Sequence, residues 1–136
     1  MSVGPSSAAI EVNGSLQRSF TPSPESAAQA RQFVGCAVEG TSVDRANALL
    51  LTSELVNNAI MHAESDFQVR VSIEDDDAVR VVVVNHAPQL LLLAREPSTE
   101  GGRGLALIDQ LANSWGFERR DDMKLVWFML AAADAP

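Results

Sequence analysis

Apolar and polar positions change their period along the chain, and each change marks an element. Residues 1–9 are small and polar with a Gly4-Pro5 pair and no period, which predicts a disordered N-terminal tail over 1–14. Ser15 to Phe20 predicts a short strand, closed by Thr21-Pro22-Ser23-Pro24. That corner is also a helix start, with Ser23 as N-cap, Pro24 at the first helical position and Glu25 in the first turn. Ala27, Ala30, Val34, Ala37 and Val38 then recur at helical spacing until Gly40. A second helix is predicted from about Asp44 to about Ala63. Beyond it the period drops to two. Phe67, Val69, Val71 and Ile73 alternate with Gln68, Arg70, Ser72 and Glu74, a strand with one solvated face. Asp75-Asp76-Asp77 predicts a turn, and Val79 to Val84 a return strand buried on both sides.

Residues 86–103 read as a long connection holding Pro88, Pro97, Gly101 and Gly102, and a third helix is predicted from Gly104. Trp115 to Glu118, the charged turn 119–122 and Met123 to Leu130 predict a last hairpin, with a short tail over 131–136. The order β-α-α-β-β-α-β-β predicts an α+β two-layer sandwich over 15–130, its helices on one face of a mixed, mostly antiparallel sheet.

Composition narrows the class. A chain of 136 residues is sized for one domain with a full core. Its net charge of −8 argues against direct nucleic-acid binding. No apolar run reaches the ~20 residues of a membrane span. No signal peptide is visible, and the single cysteine, Cys36, excludes an intramolecular disulfide, so a cytoplasmic location is expected. Cys36 reads as a small core residue. With His62 and His86 it lacks ligand spacing, so no zinc site is expected. Trp115 and Trp127 read as packing residues.

Three features carry chemistry. On the second helix, Glu54, Asn58 and His62 share a stripe of about 80° at 100° per residue. Polar groups on so apolar a helix need partners or a polar ligand; a solvated stripe is the plainer reading. Gly101-Gly102-Arg103-Gly104 runs into Leu105-Ala106-Leu107-Ile108, and glycines before a helix N-terminus suit a phosphate seat. The Gly-Lys-Ser/Thr ending of a Walker loop is missing. Finally, the Val79–Val84 strand exits into Asn85-His86-Ala87-Pro88, either a ligand-facing polar end or an Asx-type turn.

In this order the pieces resemble a known superfamily. Glu54-Leu-Val-Asn-Asn58-Ala-Ile-Met-His62-Ala is similar to the N box of the GHKL (Bergerat-fold) ATPases, and Gly102-Arg-Gly104-Leu-Ala-Leu-Ile-Asp to their glycine-rich G2 box. The chain most resembles the stand-alone anti-sigma factor/serine-protein kinases of actinobacterial type, over about residues 15–130 and including Lys124-Leu-Val-Trp127-Phe. The resemblance implies that Asn58 ligates Mg²⁺ through its amide oxygen. It implies that Glu54 is the catalytic residue, orienting or deprotonating a substrate serine hydroxyl. Gly102, Arg103, Gly104 and Leu105 would bound the phosphate site of ATP, His62 would shape the pocket, and residues 86–101 would form the lid.

At the base-binding position the family has an aspartate that accepts the adenine amino group, followed by small residues; this chain has Asn85, then His86, Ala87 and Pro88. Exchanging a charged acceptor (about 1.5–3 kcal/mol) for a neutral one (about 0.5–1.5) predicts roughly tenfold weaker nucleotide binding. Within the lid, Leu90 to Leu93 reads as a resumed strand, a cap on the core, or a contact surface for a partner or a second copy of the chain. The resemblance implies an anti-sigma factor that sequesters a sigma factor and answers to an anti-anti-sigma STAS-domain protein. An intact kinase of this type phosphorylates that antagonist on Ser or Thr with Mg-ATP. A non-catalytic interaction module on the same fold is the alternative that Asn85 favours.

Overall fold

A computed structural model of the chain describes residues 10–12, 15–62, 65–85, 102–120 and 122–132, with backbone alone for 10–12, 62 and 102–105. The elements are β1 (Ile10–Val12), β2 (Ser15–Phe20), α1 (Pro24–Ala37), α2 (Arg45–His62), β3 (Phe67–Ile73), β4 (Val79–Asn85), α3 (Gly102–Leu111), β5 (Ser114–Arg120) and β6 (Met123–Leu130). They build the expected α+β two-layer sandwich. The expected segments 86–101, including Leu90 to Leu93, lie outside the described residues.

Among the described residues one sheet of six strands runs in the order β1-β2-β3-β4-β6-β5. Every pairing among them is antiparallel, which corrects the expectation of a mixed, mostly antiparallel sheet. The reason is topological: the sheet is three hairpins side by side, and each joins the next antiparallel. β1 falls within the segment expected to be tail. It pairs with β2 from Ile10↔Gln17 to Val12↔Ser15. The two-residue connection in the sequence is Asn13-Gly14, the strongest short-range hairpin signal.

Local chemistry sets the helix ends. Ser23 is extended before α1, as an N-cap should be, but its hydroxyl caps no backbone amide; instead Ser26 Oγ donates to the Thr21 carbonyl at 2.6 Å and ties the corner. Gly40, at φ +85°, takes the left-handed turn after α1 that a side chain would oppose. Asp44 caps α2, its Oδ1 accepting the Asn47 amide at 3.0 Å. The β3–β4 turn uses the aspartates as expected. Ala78 N–H donates to Asp76 Oδ1 at 3.2 Å, and Asp77 sits at φ 67°.

The core lies between the helices and the inward positions of the central strands. Ala30, Phe33 and Val34 from α1, with Ala48, Leu51, Leu55, Val56 and Ala59 from α2, meet Val69, Val71, Val79, Val81, Val83 and Phe128. Ile108 anchors α3 in the same cluster. Burying side chains of this size contributes about 1.5–3 kcal/mol each. Cys36 is not part of the core. It is exposed on the outer side of α1, one residue past the buried Val34-Gly35 step. Trp115 does pack against the core and donates its Nε1 hydrogen to Asp109 at 3.0 Å, linking β5 to α3. Trp127 lies on the helix-free face of the sheet, with the Arg80 guanidinium 4.8 Å from its ring centre.

Candidate nucleotide site

The burial of α2 shows which way its polar stripe looks. Ala48, Leu51, Thr52, Leu55, Val56 and Ala59 are buried and define the face on the sheet. Leu50 and Met61, 40 % and 67 % exposed, lie on the solvent side. Glu54 and Asn58 fall between these two faces and are half-buried. On the other flank, Ser53 Oγ accepts a hydrogen bond from Arg31 of α1 at 3.3 Å. Helical geometry therefore turns Glu54 and Asn58 away from α1, toward the flank where α3 packs on α2. The backbone of His62 continues this line at the end of α2, and its side chain is outside the description.

α3 begins at Gly102, two residues before the expected start at Gly104. The glycines thus form its first turn instead of a loop ahead of it. The first four amides of a helix, here those of Gly102, Arg103, Gly104 and Leu105, have no partner within the helix and are suited to an anion. Only their backbone is described.

Asn85 is the last residue of β4 and belongs to the strand, which excludes the free Asx-turn reading. It is in phase with Val79, Val81 and Val83, so it faces the helices. Its side chain is 4 % exposed, and its Oδ1 is buried with no hydrogen-bond partner. Native structures rarely leave such an atom alone unless something else binds there. Directly across the ladder stands Lys124 of β6, in the pairing Asn85↔Lys124. Lys124 is in phase with Val126, Phe128 and Leu130, faces the same side, and is 7 % exposed. Burial pushes its amine below the ordinary lysine value of 10.5.

Lys124 was not among the site residues expected from sequence. Its signal was there to read, because a lysine standing in phase with three inward apolar residues on a strand is misplaced unless something uses it. A surface depression lined by Ser19, Ser65, Asp66, Gln68 and Val84 opens on the helix-free side, away from Asn85 and Lys124.

No group of three or more His, Cys, Asp or Glu side chains gathers among the described residues. The oxygen donors on the half-buried flank of α2 away from α1 are the Glu54 carboxylate and the Asn58 amide. So sparse a set of hard donors fits Mg²⁺, which takes one or two protein oxygens and completes its shell with phosphate and water. The orphaned Asn85 Oδ1 fits a hydrogen-bond donor on a planar base. No described helix is long and apolar enough to cross a membrane.

Comparison with known proteins agrees with this frame. Among curated proteins no match is found. The RsbU and RsbW domains of a Mycobacterium tuberculosis protein superpose with a TM-score of 0.66 at 16 % identity, over 86 % of this chain and 32 % of theirs. The histidine kinase domain of a blue-light activated histidine kinase from Erythrobacter litoralis gives 0.56 at 20 % identity, over 79 % of this chain and 61 % of that one. The chain thus spans about a third of the first and three fifths of the second. At such identities the likeness is one of fold. The family described as histidine kinase-like ATPase domain matches residues 20–130, nearly the whole sandwich, and the chain belongs to that family.

Proposed function

We propose that the chain is an anti-sigma factor of the RsbW kind, which sequesters a sigma factor and phosphorylates a STAS-domain antagonist on Ser or Thr with Mg-ATP. The observation that carries the reading is the buried, partnerless Asn85 Oδ1 at the end of β4, on the face of the sheet that α2 packs against. The RsbW domain of the superposed M. tuberculosis protein supports the choice of partners.

In this reading Asn58 would offer its amide oxygen to Mg²⁺, and Glu54 would take the proton that a substrate serine hydroxyl gives up. The amides of the first turn of α3 would hold phosphate oxygens and Asn85 the base, while the bound nucleotide would supply the phosphoryl group and keep the diphosphate as leaving group. Neither residue of the α2 pair needs a long reach, because i and i+4 stand on one flank.

Calorimetric titration of the whole chain with Mg-ATP tests the nucleotide half, with Asn58→Ala beside it. Saturable binding that the variant loses supports the reading, and absence of binding at millimolar ATP overturns it. The partner half is tested by phosphate transfer to a cognate STAS protein. Asn85 in place of a carboxylate favours one second reading, a non-catalytic interaction module. That reading expects a sigma-factor complex and no phosphate transfer.

A further inference from the structure

The row that joins Asn85 to Lys124 runs one strand further. Lys124 pairs with Arg119 of β5, so Asn85, Lys124 and Arg119 stand side by side across three strands. Arg119 is in phase with Trp115, which packs on the core, so its side chain leaves the sheet on the helix-facing side. It is exposed, and it makes no ion pair among the described residues. Its neighbour Arg120 differs on both counts. Arg120 is in phase with Gly116, on the helix-free side, and is held by Glu118, Nη2 to Oε1 at 2.9 Å.

The direction of α3 brings its first turn to the same row. Only Ala112 and Asn113 separate α3 from β5, and Trp115 Nε1 donates to Asp109 at 3.0 Å, so β5 folds back along α3. From Leu111 back to Gly102 the helix covers about 14 Å. From Ser114 to Arg119 the strand covers about 17 Å. The helix N-terminus and Arg119 therefore lie at one level of the sandwich. The orphaned Asn85 Oδ1, on a residue 4 % exposed, marks that level as a place where a ligand is received. Asn85 and Arg119 are two strand spacings apart, about 10 Å, which leaves room for a base and its sugar between them.

Charge gives this placement a use. A nucleotide is a polyanion, and the chain repels it at a net charge of −8. Local cations must outweigh that field where the phosphates sit. A helix N-terminus supplies only about half a positive charge. Arg119 adds a whole one, on a planar fork that matches phosphate oxygens. We propose that Arg119 is a further ligand-binding residue, which contacts the phosphates of the bound nucleotide from the β5 side. The inference rests on the reading of this site as a nucleotide site and adds to it a residue from the edge of the sheet.

The test is calorimetric titration of the full chain, of Arg119→Gln and of Arg120→Gln with Mg-ATP, at low and at high salt. Thermal melting checks that both variants are folded. Arg119→Gln is expected to bind about tenfold more weakly than the parent, the scale of one hydrogen bond to a charged group. That deficit should shrink between about 0.05 and about 0.5 M sodium chloride, because screening acts on an exposed charge contact and not on a change of packing. Arg120→Gln should stay within about twofold of the parent, since its charge is spent on Glu118 on the other face. Three results overturn the inference and leave the nucleotide site standing: parent-like binding by Arg119→Gln, an equal loss in Arg120→Gln, or a deficit that salt does not change. Failure of the parent to bind Mg-ATP overturns both.

Discussion

Replacing Asn85 by aspartate puts a carboxylate at a position only 4 % exposed, across the ladder from Lys124, a residue 7 % exposed. Alone, a charge buried there costs several kcal/mol. With Lys124 across the ladder, the two charges attract by roughly 3 kcal/mol at about 5 Å and an effective dielectric of about 20. The amine is already desolvated in the parent, so only the carboxylate adds a new penalty. Asn85→Asp should therefore cost no more than about 1 kcal/mol, the penalty being largely offset by the pair. Lys124→Met removes a charge that burial disfavours while keeping the aliphatic stem, and is expected to stabilise by about 1 kcal/mol. The double variant leaves the carboxylate alone and should lose about 3 kcal/mol. The coupling energy is then about 3 kcal/mol, well above the ~0.5 kcal/mol within which independent sites add. Urea unfolding of the four proteins at pH 7, with midpoints and slopes measured together, provides the cycle. A coupling below about 0.5 kcal/mol would refute the placement of the two side chains as buried neighbours.

The pH dependence follows from the same lysine. Below its lowered native pKa the folded chain carries a charge that burial disfavours, and above 10.5 both states are neutral. Parent stability should thus gain between those two values relative to Lys124→Met, seen as convergence of their urea midpoints from pH 7 to about pH 10. At Gly116 a Cβ would meet the Trp127 ring at 3.0 and 3.2 Å, and that indole is held from above by Arg80. Gly116→Ala is expected to cost about 1 kcal/mol and to change the near-ultraviolet circular dichroism, and an unchanged spectrum would count against the contact. Asp44→Ala removes the cap that accepts the Asn47 amide at 3.0 Å, which should lower stability by about 1 kcal/mol in chemical unfolding.

The sequence made the periodic elements legible because their burial follows their period. Phe67, Val69 and Val71 alternate in sequence and are all buried, and Pro24 and Asp44 stand at the two helix starts. The Glu54–Asn58 flank was legible for the same reason, since helix geometry alone puts i and i+4 together. Three features were harder. β1 is too short to show a period, and only its Asn-Gly connection signals it. Cys36 was assigned to the core from its residue type, but its place on α1 depends on which stripe the sheet covers. The neighbour of Asn85 is set by the register of β4 on β6, a pairing between segments about forty residues apart. No local pattern encodes that register; it emerges when the hairpins dock.

That register has a consequence for assembly. Three hairpins can each close locally, but the contact that brings Asn85 to Lys124 forms only when the second hairpin and the third zip together. Non-local pairings of this kind bear the larger loop-closure entropy and come late in folding. The Asn85–Lys124 pairing is therefore a seam between two separately closing hairpins. Weakening that seam should speed the parting of the hairpins and leave the closing of each one untouched.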